Sequence, residues 1–247
     1  MLDYRRVQQY AADHPNAGRV AVGNALELPP GRVRGWLNGS RPAPVRGIQT
    51  AHAHGWIDPE PDMLDSLVEL LAHVLAGGSI PAETYLPTLT PGRRVPVETL
   101  VDAIEAVGCQ ATVHRRADDD RPPKVTPATD GAILGRVLVA AGAPAGPKTQ
   151  MSGLPEVVRL ADASSRRAFA EVYAKHRAVS YSEKDTTRIL EDRSQAYRHS
   201  LRDLLAAATE ESVTVNECGI TLSAAASRAL GVDRESTNRS SSKQAPR

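Results

Sequence analysis

Two arginines and an asparagine stand close together in the segment GRVAVGNALELPPGRVRGWLNGS, as Arg32, Arg34 and Asn38. On an exposed helix, such side chains can reach base edges in a DNA major groove, where arginine bonds guanine O6 and N7. Arg41 and Arg46 follow within a few residues, and their charges suit backbone phosphates. These five residues are therefore candidates for contact with nucleic acid.

Short helices must hold these side chains in place. Apolar spacing and the turns HPNAG, ELPPG and NGS predict four of them, over residues 4–12, 19–26, 32–37 and 45–54. We expect their core to contain Ala21, Leu26, Leu28, Val33, Trp36 and Leu37. This first unit, residues 1–58, resembles the homeodomain-like helix-turn-helix of many regulators and recombinases. The alternative is a small helical bundle with a solvated basic face.

Residues 64–232 form a second predicted unit with two similar halves, about 64–160 and 161–232. In each half a long helix precedes a strand, a second helix and a further strand, which is a weak internal repeat. The first long helix lies in ELLAHVLAGGSIPAETY and is apolar on every side before its two glycines. Residues 233–247 are polar without an apolar period, which predicts a disordered tail.

Several segments of the second unit, in order, resemble the LAGLIDADG homing endonucleases. They are LLAHVLAGGSI, GRVLVAAGAPAGPKT, the Leu154–Pro155 pair, SRRAFAEVYAKHRAVSY and YRHSLRDLLAAA. The resemblance implies two helices packed side by side at the centre of a pseudo-two-fold saddle, with flanking sheets in the DNA major groove. It also implies that in active members an acid at the foot of each helix holds a divalent metal that activates water.

The helix feet of this chain lack those acids. Ala76 and Gly77 stand at the first foot, and Lys175 and His176 at the second, followed by a further glycine and an arginine. Mg²⁺ requires oxygen ligands, and cationic side chains repel it. We therefore expect no metal, no cofactor and no cleavage by the family mechanism. The cations at the foot suit a phosphate instead, and Lys148 in GPKT is a further predicted nucleic-acid contact.

Other acidic residues and the two cysteines are also candidates for metal binding or for the core. Glu83, just beyond the glycines, remains open as a displaced metal ligand, whereas Asp118–Asp120 indicate a solvated turn. Cys109 and Cys218 lie in strand-like segments and are predicted to be core residues. Two cysteines are too few for a disulfide framework, which favours a reducing cytoplasm.

Composition narrows the class of protein. The net charge of +1 provides no overall basic field, although arginines cluster locally. The beginning of the sequence, MLDYRRVQQY, lacks an apolar signal core, and the apolar run 131–146 is too interrupted to span a bilayer. We therefore expect a cytoplasmic, nucleoid-associated protein without membrane contact.

Together these features predict an α+β protein: an all-α helix-turn-helix followed by a pseudo-two-fold saddle of α/β repeats. The predicted function is non-catalytic, sequence-specific binding of double-stranded DNA in a transcriptional regulator. The combination is similar to that of the WhiA family of sporulation regulators, in which the helix-turn-helix comes last. The alternatives are an active endonuclease with displaced acids and a protein-interaction module that uses the apolar helices.

Overall fold

A computed structural model describes residues 1–114, 122–181, 185–217 and 219–233 of the chain. It divides into two compact units, Met1–Asp58 and Pro59–Arg247. The first is helical and the second combines helices with two antiparallel sheets, so the predicted α+β class is confirmed. The predicted turn at 118–120, Cys218 and the predicted tail from 234 onward lie outside the described residues.

The first unit consists of four short helices in the predicted places. They are α1 (Leu2–Asp13), α2 (Arg19–Leu26), α3 (Pro30–Leu37) and α4 (Ala43–Ala53). Helix α3 begins two residues earlier than the apolar spacing indicates, because proline has a suitable φ and needs no hydrogen-bond partner for its nitrogen in a first turn.

A small aliphatic core holds the first unit together. Val7, Val22 and Val33 are fully buried, one from each of α1, α2 and α3. The side chains packed around them are Tyr10, Ala17, Leu26, Leu28, Trp36 and Leu37. The prediction of Ala21 as a core residue is wrong, since Ala21 is exposed and the next residue, Val22, takes that place. Three consecutive apolar residues at 20–22 do not define which side of a short helix is buried.

A tight turn joins α2 to α3. Glu27 adopts a left-handed conformation with φ 57°, and the amide of Leu28 donates to the carbonyl of Gly23 at 2.9 Å. A Cβ atom at Gly23 would lie 2.7 Å from the Leu28 carbonyl oxygen, so only glycine fits there. This turn sets the angle at which α3 leaves the core.

Within the described residues the second unit contains seven α-helices, one 3₁₀ helix (Lys148–Gln150) and eight short strands. Its helices are α5 (Pro61–Gly77), α6 (Val97–Ala106), α7 (Gly131–Ala140), α8 (Glu156–Leu160), α9 (Ala163–Arg177), α10 (Gln195–Thr209) and α11 (Ala224–Ala229). Its strands are β1 (Gly78–Ser79), β2 (Thr88–Leu89), β3 (Ala111–His114), β4 (Lys124–Pro127), β5 (Ala178–Ser180), β6 (Thr187–Leu190), β7 (Val213–Asn216) and β8 (Gly219–Leu222).

Both halves of this unit run through helix, two strands, helix, two strands and helix. The sheets have corresponding strand orders, β1-β2-β4-β3 and β5-β6-β8-β7, with antiparallel neighbours. The sequence pattern predicts one strand after a helix in places where the structure has two consecutive strands, as in β3 and β4 or β5 and β6. It left β4 and β6 without a prediction.

The long helices α5 and α9 pack against each other and form the centre of the second unit. Every residue from Leu70 to Ala76 is buried, which explains the missing polar face at the end of α5. Helix α9 contributes the largest side chains to this core, Phe169 and Tyr173, both fully buried. Its first turn is capped by Asp162, whose carboxylate accepts from the amide of Ser165 at 2.8 Å.

Each sheet has one aliphatic face and one face that carries polar side chains. Buried Leu89 and Val125 pair across the first sheet, and Ile189 and Ile220 pair across the second. Alternation places the neighbouring residues of each strand on the opposite side, which we call the outer face. The outer face of the first sheet is formed by Ser79, Thr88, Thr112, His114, Lys124 and Thr126. The outer face of the second sheet is formed by Val179, Arg188, Leu190, Thr214, Asn216 and Thr221.

Candidate nucleic-acid interface

All of the predicted DNA-contacting residues in the first unit are exposed. Arg34 on α3 and Asn38 at the C-cap of that helix are four residues apart, about one turn, whereas Val33 is buried. Arg32 is also exposed, two residues before Arg34, a spacing that does not bring the two side chains onto one face of a helix. Arg41 is oriented by a hydrogen bond from its Nη1 to Gln49 Oε1 at 2.8 Å. Helix α3 therefore presents a solvent-facing surface with guanidinium and amide groups and a buried aliphatic side.

In the second unit the two predicted helix feet lie in contact. The imidazole of His176 on α9 fills the space beside Gly77 on α5, where a Cβ atom would collide with ring atoms. Gly92, in the loop after β2, approaches the other side: a Cβ there would lie 2.5 Å from His176 Nδ1. The first foot therefore has no room for a side chain at position 77, carboxylate or otherwise.

A second histidine completes this contact. His73 Nδ1 and His176 Nε2 lie 2.8 Å apart in a hydrogen bond between buried side chains. The other ring nitrogens, His73 Nε2 and His176 Nδ1, are buried without a hydrogen-bond partner among the described residues. Burial, with a smaller effect of His176, lowers the pKa of His73 to about 3. Burial, followed by the charges of Lys148 and Arg177, lowers the pKa of His176 to about 4. Both rings are therefore neutral at pH 7.

Cationic side chains cap the end of α5, where the last carbonyls of a helix lack partners. Lys148 Nζ donates to Val74 O at 2.6 Å and to Leu75 O at 3.0 Å. Arg177 Nη1 donates to Ala76 O at 3.4 Å. Arg193 also donates to Leu75 O, so three basic side chains approach the negative end of the helix dipole, where positive charge is stabilising.

Lys148 was predicted to contact nucleic acid, and its ammonium group instead lies partly buried against these carbonyls. Burial is the main cause that lowers its pKa to about 7, with Arg193 and Arg177 acting in the same direction. Lys175 lies partly exposed one helical turn from Glu171, whose carboxylate is 3.8 Å from its ammonium group. Of the residues predicted at the feet, Ala76, Gly77 and His176 are in the contact between the helices, and Lys175 is at its margin.

Glu69 Oε1 lies 4.0 Å from His73 Nε2, and its side chain is partly exposed. A second carboxylate near the feet, that of Glu191, is buried and already paired. Glu191 follows β6, is 1% exposed, and accepts a short hydrogen bond from the Tyr173 hydroxyl. Its Oε2 lies 3.6 Å from Arg193 Nη1 and 3.8 Å from Arg177 Nε. Arg193 also donates to Tyr173 OH at 2.9 Å and to the carbonyl of Leu75. This buried network ties the foot of α5 to the second half of the unit.

The network was not foreseen from the sequence. Glu191 and Arg193 stand in the polar stretch between β6 and α10, and His73 lies 103 residues before its partner, so no local pattern joins them. Glu83, kept open as a metal ligand, is exposed in the turn after β1. Within the described residues no three His, Cys, Asp or Glu side chains are grouped so that they could hold a metal ion.

The outer faces of the two sheets form a further candidate surface. None of the eight described strands contains Asp or Glu. Their outer faces carry hydroxyl groups together with Lys124, His114 and Arg188. His114 Nε2 lies 2.9 Å from Thr126 Oγ1, which accounts for the low exposure of that threonine. Both sheets thus present hydrogen-bonding groups without a negative charge.

Comparison with known proteins assigns this chain to no family. No protein-family model matches the chain, and a search of curated proteins finds no significant match. In the part of the chain that the structure describes, no helix is long and apolar enough to cross a membrane.

Proposed function

We propose that this protein binds double-stranded DNA at specific sequences without cutting it, as a regulator of transcription. The observation that carries the proposal is the foot of the α5–α9 pair, where His176 fills the space beside Gly77. Among the described residues, no three His, Cys, Asp or Glu side chains are grouped so that they could hold a metal ion. The proposal assigns one role to each unit: α3 reads a groove, and the sheets of the second unit hold the duplex.

The order of elements in the second unit supports a LAGLIDADG-like saddle. That family resemblance implies two central helices, each followed by a sheet, with a pseudo-two-fold relation between the halves. The shared element order and strand order of the two halves and the packing of α5 along α9 agree with this expectation. We therefore propose the saddle as the architecture of residues 64–232.

The outer faces of the sheets support DNA as the ligand. Duplex DNA carries dense negative charge, which disfavours carboxylates at an interface and favours arginine and lysine. Base edges in the major groove offer donors and acceptors that hydroxyl, amide and guanidinium groups complement. The carboxylate-free strands and the side chains Lys124, Arg188 and Asn216 fit both requirements.

The same geometry argues against cleavage. A LAGLIDADG-type metal would require an acid at each foot, and a side chain at Gly77 would meet His176. Glu191 is buried near the feet, and Tyr173, Arg193 and Arg177 already compensate its charge. An endonuclease that used Glu191 as a displaced acid would have to break this buried network before it held Mg²⁺.

A gel-shift experiment tests the proposal. The full chain is titrated into a pool of random duplexes and into individual sequences recovered from the bound fraction. We expect recovered sequences to be retained more tightly than random ones, with affinity that falls steeply as salt is raised. Equal retention of all sequences would refute sequence-specific binding. A stable complex with a protein partner, in the absence of any DNA binding, would favour the protein-interaction module.

Localisation follows from the same proposal. A regulator with these properties would be cytoplasmic and associated with the nucleoid. A fluorescent fusion that stays diffuse in cells with condensed nucleoids would contradict this part.

A further inference from the structure

Arg188 lies near the middle of the second sheet, on its outer face. It belongs to β6, between β5 and β8, and its Cα partners are Val179 and Thr221. The adjacent residues Thr187 and Ile189 are buried on the aliphatic side, so the Arg188 side chain is directed to the outer face. Among the described strand residues of that face, Arg188 carries the only positive charge.

A chain of hydrogen bonds orients this guanidinium. Arg188 Nη2 donates to Asn216 Oδ1 at 3.2 Å, and Asn216 Nδ2 donates to Thr221 Oγ1 at 3.1 Å. Among the described residues Arg188 has no acidic partner, and its Nε is buried without a hydrogen bond. Only the terminal nitrogens Nη1 and Nη2 are therefore available to a ligand. They form a planar fork whose orientation is fixed by the side-chain amide of Asn216.

We propose that Arg188 determines sequence specificity by bonding one guanine of the DNA, through O6 and N7, with Asn216 and Thr221 as positioning residues. This inference rests on the proposed function and identifies a base that the protein reads. A planar fork held in one orientation matches the two acceptors of guanine in the major groove. A phosphate would not require that orientation, and an exposed arginine elsewhere would serve it equally.

The test compares selected sequences for the full-length wild type and for Arg188→Lys, Arg188→Ala and Asn216→Ala. Arg159→Lys is the matched control, because Arg159 is an exposed arginine of the same unit, paired only at 3.7 Å with Glu156. Circular dichroism melts establish that each variant is folded. We expect Arg188→Lys to lose the preference for guanine at one position and to bind the selected site about 10- to 100-fold more weakly. Asn216→Ala should weaken the same preference, and Arg159→Lys should leave it unchanged.

Methylation of guanine N7 gives an independent readout. In the wild-type complex we expect methylation of one guanine to interfere with binding, and that interference should disappear with Arg188→Ala. A phosphate contact predicts a different result: uniform weakening on all sequences, a shallower salt dependence for Arg188→Ala, and rescue by Arg188→Lys. That result would overturn the inference while leaving DNA binding intact. Failure of the wild type to select any sequence would instead overturn the proposed function, and this inference with it.

Discussion

Gly77 and His176 decide what chemistry is possible where the two long helices end. The imidazole occupies the volume that a side chain at position 77 would need. The close approach of the ring therefore explains on steric grounds why position 77 is glycine, in addition to the preference for glycine at the end of a helix. The same contact removes the site that a metal-binding acid would need under the LAGLIDADG resemblance.

Adding a methyl group at this position should destabilise the second unit. We expect Gly77→Ala to lower the free energy of unfolding by about 1–3 kcal/mol, because the ring must move or the helices must separate. Urea denaturation measures the change. Gly153→Ala is the control, since a Cβ there meets Ser200 Oγ at an ordinary 3.9 Å. Equal stability of the two variants would contradict the close contact.

The buried histidine pair should make stability depend on pH. In the unfolded chain each histidine has a pKa near 6.5, and in the folded chain the pKa of His73 and of His176 is about 3 and about 4. The unfolded state therefore binds more protons below pH 6.5. The stabilisation is complete above pH 6.5 and is lost as the pH falls toward 4, by up to about 1.4 kcal/mol per pH unit for each histidine.

Denaturation curves between pH 4 and 8 measure this loss. The charged groups around the pair are Glu69, 4.0 Å from His73 Nε2, and the cations Lys148 and Arg177. A double variant, His73→Leu with His176→Leu, should show a shallower pH dependence than the wild type. His199→Leu changes an exposed histidine and should keep the wild-type slope. Identical slopes for wild type and double variant would rule out the pair as the cause.

At the scale of elements, the foot of α5 is held by side chains that come from distant parts of the sequence. Lys148 precedes α8, Arg177 ends α9 and Arg193 precedes α10, and all three donate to carbonyls of the last turn of α5. The end of α9 is held differently, by the amides of Arg93 and Arg94 in the loop after β2. Residues of each half thus help to close the end of the other half's long helix: Arg177 and Arg193 at α5, and Arg93 and Arg94 at α9.

Removing Arg193 should be costly because it would leave Glu191 buried with less compensation. We expect Arg193→Ala to destabilise the second unit by about 3–5 kcal/mol. The exposed Arg159→Ala should change stability by less than about 0.5 kcal/mol. Chemical denaturation of Arg193→Ala and Arg159→Ala measures the free energy of unfolding of each variant. Adding Glu191→Gln to Arg193→Ala should recover part of the loss, and a double variant less stable than the single one would contradict the pairing.

Helices were easier to predict than strands for reasons visible in particular elements. Helix α2 was predicted with its observed bounds, since an apolar period and flanking turns are local signals. Strand β4 contains Pro127 and follows a polar stretch, and β6 follows charged residues, so neither has a strong pattern of its own. The hydrogen bonds that define β4 come from β2 and β3, and those that define β6 come from β5 and β8.

The sequence predicts those candidate residues that are exposed on the surface, but not those whose surroundings depend on packing between distant segments. Exposed arginines on α3 follow from the pattern around Val33, whereas the environment of Lys148 depends on α5, more than seventy residues away in the sequence. The histidine contact likewise joins two helices whose packing no local pattern specifies. Long-range packing therefore places the Lys148 ammonium group against the end of α5, which no local pattern indicates, and its contact with nucleic acid stays a prediction.

At the scale of the whole molecule, the two units should share the work of DNA recognition. Replacing Arg32 and Arg34 by alanine should weaken binding to the selected sequence about 10-fold or more and reduce selectivity, because guanidinium contacts from α3 are lost. Arg6→Ala is the control, since Arg6 is an exposed arginine of α1 near Asp3. Fluorescence anisotropy with labelled duplexes measures both variants. Equal loss in both would indicate a general charge effect.

One measurement tests the central claim most directly. The full chain is incubated with its selected duplex and with a scrambled duplex, in Mg²⁺ and then in Mn²⁺, and each sample is examined for retention and for strand breaks. We predict salt-dependent retention of the selected duplex alone, with both strands intact in either metal. Equal retention of both duplexes, or breaks in the selected one, would contradict a sequence-specific protein that binds DNA without cutting it.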